Sequence, residues 1–233
     1  MPQKEKKAAS SNATLADKVF QELRRDILLG VYRPSQKLLL HDLKACYDAG
    51  GSPIREALLR LSWCKYVVME PQRGFWVAPI SHHELYDILL VRRVLAEEAV
   101  RRSLAQGDEA WELEVLASYH RLSRIDLNDV NVDLQDWADR HMAFHLAIIS
   151  GSHSPVIVEV MESLYNRLER YRHIWFDPAL PTSKRYSDEG EHQAIMQAVL
   201  ARDADRTLQL LDQHYSHVMQ VVEGLSTEAF LPR

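Results

Sequence analysis

Apolar residues recur at three- and four-residue steps through Leu15, Val19, Leu23, Ile27 and Leu28, the period of one face of an amphipathic helix. Thr14 or Asn12 is placed to cap its start, Gly30 to end it, and Pro34 forbids immediate resumption. A second, short helix is expected over 40–47, closed by the turn-forming run Asp48-Ala49-Gly50-Gly51. A third is expected from Ser52-Pro53, with the serine as cap and the proline at the first helical position. It turns Ile54, Ala57, Leu58 and Leu61 to one side. Then the period changes. Tyr66-Val67-Val68-Met69-Glu70 and Phe75-Trp76-Val77 read as two short strands around a Pro71-Gln72-Arg73-Gly74 turn. Helix, helix, turn, helix, hairpin is the order of a winged helix-turn-helix, with the hairpin as its wing.

From Ser81 onward the pattern is helical throughout. Ser81-His82-His83-Glu84 has capping-box spacing and opens a long helix to about residue 104. Further helices are expected over 109–124, 137–150, 154–175, 183–201 and 204–222. Gly107-Asp108, an Asp/Asn-rich loop over 126–133, Gly151-Ser152, a loop at Asp177-Pro178 and Pro181, and a joint at Arg202-Asp203 separate them. Short joints predict an antiparallel bundle of six to seven helices. The expected fold is therefore mainly α, in four parts: a flexible tail (1–12), a winged helix-turn-helix domain (13–79), an all-helical domain (80–223) and a C-terminal tail (224–233).

Composition narrows the class. Of the 233 residues, 46% are hydrophobic and 26% charged, enough for packed cores and against wholesale disorder. No apolar run reaches the roughly 18–20 residues that span a bilayer, and the N-terminal stretch has no apolar h-region. Cys46 and Cys64 have no metal or redox spacing and suit a reducing cytosol, so a cytoplasmic protein without a membrane partner is expected. The net charge of −5 hides an asymmetry. Residues 1–78 hold 13 Lys and Arg against 8 Asp and Glu, whereas the remainder holds 15 against 25 and ten of the eleven histidines. A basic module joined to an acidic, His-rich one points to a polyanionic partner for the first and a histidine-held group for the second.

The candidate chemistry follows that division. Arg55 and Arg60 lie opposite the apolar stripe of the third helix, and Arg73 sits at the wing tip, where a DNA-reading domain meets base edges and phosphates. Gly74 is expected to take positive φ there, letting the backbone approach the duplex. In the bundle, His141 and His145 stand one helical turn apart. His192 and His214 lie beside apolar positions of two other helices. Four inward imidazoles from three helices are what a buried metal centre needs, and the competing reading is four satisfied core histidines. His82, His83, His120, His153, His173 and His217 read as surface or boundary residues. The sequence holds no CxxC, no HExxH and no Gly-rich phosphate loop. A metal-dependent hydrolase carrying a nucleic-acid-binding module is the alternative function, with Glu191 as the nearest general-base candidate.

The segments Val19–Gly30, Pro53-Ile54-Arg55-Glu56-Ala57-Leu58 and Arg73-Gly74-Phe75-Trp76-Val77 resemble the winged-helix domain of GntR-type bacterial transcription regulators. Arg92, Phe144-His145, Glu191-His192-Gln193-Ala194-Ile195, Arg202-Asp203 and His214 resemble the FCD effector domain of the FadR branch, and within it the CsiR-type glutarate-responsive repressors. The resemblance implies a repressor, not an enzyme: a homodimer on a palindromic operator, released when a small carboxylate, for example a dicarboxylate such as glutarate, binds at a metal. It implies that His41 and Ser52 join Arg55, Arg60, Arg73 and Gly74 at DNA. It also implies His141, His145, His192 and His214 as metal ligands, and Arg92 with Arg170 or Arg172 as carboxylate partners. The sequence departs from the family pattern at Gly51 and His41, where arginine is usual, and at His141, where the first ligand is usually Asp. Four imidazoles favour zinc or nickel over harder ions.

Overall fold

The structure, a computed structural model, describes residues 13–127, 129, 132–171 and 190–223. The expected tails 1–12 and 224–233, the loop at Asp177, Pro178 and Pro181, and Arg172 and His173 lie outside the described residues.

Helix α1 (Leu15–Leu28) starts with a complete capping box. The Thr14 hydroxyl accepts from the Asp17 N–H at 3.1 Å, and the Asp17 carboxylate accepts from the Thr14 N–H at 2.8 Å. The helix buries Val19, Leu23, Ile27 and Leu28, while Leu15 stays exposed. Strand β1 (Lys37–Leu38) and helix α2 (Leu40–Cys46) follow. Helix α3 (Gly51–Trp63) begins two residues earlier than expected: Gly50 is its N-cap and no side chain caps it. Pro53 permits this because an N–H in the first helical turn has no intrahelical acceptor to lose. Ile54, Ala57, Leu58 and Leu61 are fully buried against α1. Each large one contributes about 1.5–3 kcal/mol relative to exposure.

The wing is a three-stranded antiparallel sheet, not a two-stranded hairpin. β3 (Gly74–Val77) lies between β1 and β2 (Val67–Glu70), with Phe75 opposite both Leu38 and Met69. A two-residue strand is too short to show a period, which is why β1 escaped the pattern.

A second hydrophobic core belongs to the helices from residue 82 onward: α4 (His82–Gln106), α5 (Glu109–Ser123), α6 (Leu134–Ser150), α7 (Pro155–Glu169), α8 (Glu191–Leu200) and α9 (Ala204–Glu223). Leu89, Val115, Phe144, Ile195 and Val199 sit at its centre. Trp111 staples α5 to α6, its indole N–H donating to the Ala147 carbonyl at 2.9 Å. Gly107 is needed there for space, since a Cβ would lie 2.2 Å from a Trp111 ring atom. No described helix is long and apolar enough to cross a membrane.

Three ends differ from expectation: α6 starts at Leu134, three residues before the expected 137, because the Asp133 side chain caps it there, and the other two are at α4 and α7. At α4 the Ser81 side chain accepts from the Glu84 N–H as predicted. The return arm of the box is missing, because the Ser81 N–H donates to the Tyr171 hydroxyl and the Glu84 carboxylate binds Arg170. Helix α7 stops at Glu169 rather than continuing past Tyr171. Arg170 and Tyr171 turn back instead onto Pro79, Ser81 and Glu84. The two cores are tied together by Arg24, which pairs with Asp139, and by Tyr66, which bonds Asn166.

Candidate functional site

Three helices bring four histidines together. His141 and His145 share one face of α6 because they are one turn apart. His192 comes from the first turn of α8 and His214 from α9. All four are buried, and one nitrogen of each lies within 4.8 Å of the others. The Nε2 atoms of His141 and His145 are 3.2 Å apart. Two nitrogens on one tetrahedral zinc stand at about that spacing, roughly 3.3 Å. The Trp137 ring stacks on His141 at 4.7 Å, and Phe144 packs edge-on against both His145 and His192.

The electrostatics suit ligation. Burial, helped by the neighbouring His141, His214 and His192, pushes the His145 imidazolium well below its ordinary pKa. Burial also pushes His214 down to about 4, against the pull of its hydrogen bond to Glu191. Both rings are therefore neutral near pH 7, and the neutral imidazole is the metal-binding form. The donor set fits a divalent ion of intermediate softness.

Glu191, first residue of α8, bridges two rings of α9. One carboxylate oxygen is 2.7 Å from His214 Nδ1 and the other 3.0 Å from His217 Nδ1. Burial opposes its charge, yet these two contacts hold its carboxyl below the ordinary value. His217, read from the sequence as a surface or boundary residue, is partly exposed and meets the site through Glu191, whose two oxygens are both engaged by histidines. The signal was present as Glu191 beside His192 and His217 one turn after His214, but only the α8–α9 packing unites them.

Arg92 of α4 lies one ring away from the cluster. Its guanidinium is sandwiched between Tyr165, 4.0 Å to the ring centre, and Tyr215, 4.4 Å. The Tyr165 ring is in turn 5.5 Å from that of His145. Arg92 is only 1% exposed, and its Nε and Nη2 have no hydrogen-bond partner among the described residues. A buried cation with an unfilled fork is costly unless an anion joins it. The tyrosines escaped the sequence reading because they are 73 and 123 positions downstream of Arg92, with no local pattern linking them. Of the other two predicted effector residues, Arg172 lies outside the described residues and Arg170 is placed elsewhere. Arg170 is committed to Glu84, the Pro79 carbonyl and the Arg167 carbonyl, and does not join the histidines.

On the winged domain, His41, Ser52 and Arg55 are exposed. His41 pairs with Asp42 at 2.9 Å. Gly74 has φ of +113°, as expected. Arg73, 73% exposed, reaches back to Glu70 at 2.5 Å and lies over Trp76. Lys37 on β1 lies over Trp76 as well and adds an unpredicted cation to the wing. Arg60 is occupied: it binds Asp17 at 2.7 Å and stacks on Phe20 at 4.5 Å, which fastens α3 to α1.

Two family models account for this layout. The FCD domain model matches residues 87–217, and the model of bacterial regulatory proteins of the gntR family matches residues 15–77. The chain belongs to the GntR family and carries an FCD domain. It is 34% identical to the HTH-type transcriptional repressor GlaR of Escherichia coli K12, over 88% of this chain and 94% of that one. It is 35% identical to the HTH-type transcriptional regulator BphR of Paraburkholderia xenovorans, over 90% and 85%. Its fold is similar to that of E. coli McbR/YncC, with a TM-score of 0.66 at 22% identity over 89% and 94% of the two chains. This GntR regulator is a DNA-binding transcription regulator, and family membership sets aside the hydrolase alternative.

Proposed function

We propose that this regulator is a cytoplasmic, homodimeric repressor that leaves a palindromic operator when a small carboxylate enters its FCD domain. The working division is a DNA-binding domain over 13–79 and an effector domain over 80–223. The observation that carries the reading is Arg92, buried with an unfilled hydrogen-bonding edge beside four buried histidines. His141, His145, His192 and His214 would hold a divalent ion, zinc or nickel by the softness of four imidazoles. When bound, the ion supplies a Lewis-acidic point for one carboxylate oxygen. Arg92 presents Nε and Nη2 to a carboxylate as a planar fork, and its tyrosine sandwich fixes the plane of approach.

Repression, rather than activation, is supported by the likeness to GlaR. A second copy is supported by α4, where Tyr86, Leu90 and Val94 stand exposed at four-residue steps. A dimer would set two α3 helices, each presenting Arg55, on half-sites of one operator. Ligand binding would shift the population of dimer geometries away from the one that fits DNA.

The test is operator binding by the full chain across a panel of C4–C6 mono- and dicarboxylates, with and without a chelator. The expected result is release by one carboxylate class, lost after chelation. Release that is unaffected by chelation and by Arg92→Ala would overturn the reading.

A further inference from the structure

We infer that Glu191 is a positioning residue for the metal centre: it fixes His214 with its Nδ1 protonated and its Nε2 lone pair turned to the ion, and His217 braces it. The inference rests on the four-histidine site of the proposed function and adds two residues to it. An ionised carboxylate is acceptor-only, so a 2.7 Å contact to His214 Nδ1 requires that nitrogen to donate. Nδ1 then cannot be the ligand, and Nε2 is left as the coordinating atom. The second oxygen accepts from His217 Nδ1 at 3.0 Å. Both oxygens are thereby engaged, which stops the carboxylate from swinging about its last side-chain torsion.

The sequence places this carboxylate with care. Glu191 immediately precedes the ligand His192, so one turn of α8 supplies a ligand directly and, through a carboxylate, the orientation of another on α9. Gly190 stands just before it with φ of +84°, a conformation that delivers the chain into α8 at this residue. Glu191 stands in the first turn of α8, where the helix dipole favours a negative charge. Where His141 stands, the ligand set has no carboxylate of its own, so Glu191 is the anion nearest the four imidazoles that the described contacts show. Its charge raises the basicity of the His214 ring and offsets part of the ion's charge.

The experiment is a zinc titration of the full-length chain against a chromogenic chelator, for the wild type, Glu191→Gln and His217→Ala. Nitrogen-15 spectra of the histidine rings and melting of the metal-free proteins accompany it. Glu191→Gln keeps the shape and removes the charge. The expected result is a loss of zinc affinity of about 10–100-fold, the scale of outer-shell carboxylate effects. The spectra should show His214 as a mixture of tautomers, with metal-free melting within a few degrees of wild type. His217→Ala should give a smaller loss in the same direction. Wild-type zinc affinity in Glu191→Gln with lowered metal-free melting would overturn the inference, leaving Glu191 as a brace between α8 and α9. A wild type that holds neither zinc nor, in the same titration repeated with nickel, that ion would overturn the metal reading itself, a result that the wild-type titrations alone identify.

Discussion

Arg24 Nη2 donates to Asp139 Oδ1 at 2.9 Å, joining the helix that opens the DNA-binding domain to the helix that carries His141 two residues later. The same Arg24 bonds Tyr66, whose hydroxyl reaches Asn166 on α7, next to the Tyr165 that covers Arg92. Helices α6 and α7 thus each carry a residue of the candidate effector site beside an anchor for the DNA-binding domain. Asp139→Ala removes the acceptor while sparing every histidine. Asp139 is half exposed but Arg24 is largely buried, so the stability cost should lie between that of an exposed pair, about 1 kcal/mol, and that of a buried one, about 3 kcal/mol. The expected functional outcome is operator affinity near wild type with a blunted response to effector, read by gel shift across an effector titration. An unchanged response curve would show that the signal travels by another route.

The two predicted arginines of α3 should separate in assay. Arg55 is exposed, so Arg55→Ala should weaken operator binding by about 1–3 kcal/mol if it reads a base, or flatten the salt slope if it holds a phosphate. Arg60 is spent on Asp17 and Phe20, so Arg60→Ala should lower the melting temperature and leave the salt slope alone. Equal loss of DNA binding in the two variants, at equal folding, would put Arg60 back at the interface.

The Asp17 pair also predicts a pH dependence. The Thr14 backbone N–H, then the Arg60 guanidinium and the Thr14 hydroxyl, lower the Asp17 pKa to about 2. The folded value lies below the unfolded one, near 3.9, so the stabilisation is complete above about pH 4 and is lost as pH falls through about 2. Asp17→Asn should melt below wild type by a constant interval from pH 5 to 7, and that interval should close between pH 4 and 2. An interval that persists at pH 2 would assign the effect to helix capping alone.

Gly74 ends the wing turn at φ +113°. A Cβ there meets only the Lys37 side chain, at 3.9 Å, so conformation and not space is the constraint. Gly74→Val should cost about 1–3 kcal/mol of local strain and abolish operator binding, while the helical domain melts as before. Operator binding that survives in a folded Gly74→Val protein would place the wing off the duplex.

Much of this was legible in the chain because it rests on local rules. The α1 stripe, the buried stripe of α3 and the histidine pair on α6 each declare themselves within one or two helical turns. What stayed hidden depends on packing between distant segments. The β1 strand exists only because β3 offers an edge, and Tyr171 displaces the return arm of the Ser81 cap from 90 positions away. Arg60 and Arg170 read as free cations until their partners, Asp17 and Glu84, are brought alongside. A charged residue in a sequence shows its charge but not its counter-ion, which is why the arginines were the least predictable part of the site.

Arg92 gives the sharpest test, because stability and function should move apart. Its guanidinium is buried with Nε and Nη2 unfilled, and the two tyrosines that flank it, Tyr165 and Tyr215, hold the cation against the cost of burial. Arg92→Met keeps a long apolar stem between Tyr165 and Tyr215 and removes the charge. The ligand-free protein should therefore melt within a few degrees of the wild type, since the desolvation of the cation and its tyrosine contacts are removed together. Zinc content should be unchanged, because all four histidines and Glu191 remain. Carboxylate binding, followed by calorimetry, should fall by about 1.5–3 kcal/mol, the scale of a lost charged hydrogen-bonding partner. An Arg92→Lys variant should recover little of it, since a lysine offers a point charge instead of a planar fork. A ligand-free protein that melts well below wild type, with carboxylate affinity intact, would make Arg92 a structural cation held by the two tyrosines and would remove it from the effector site.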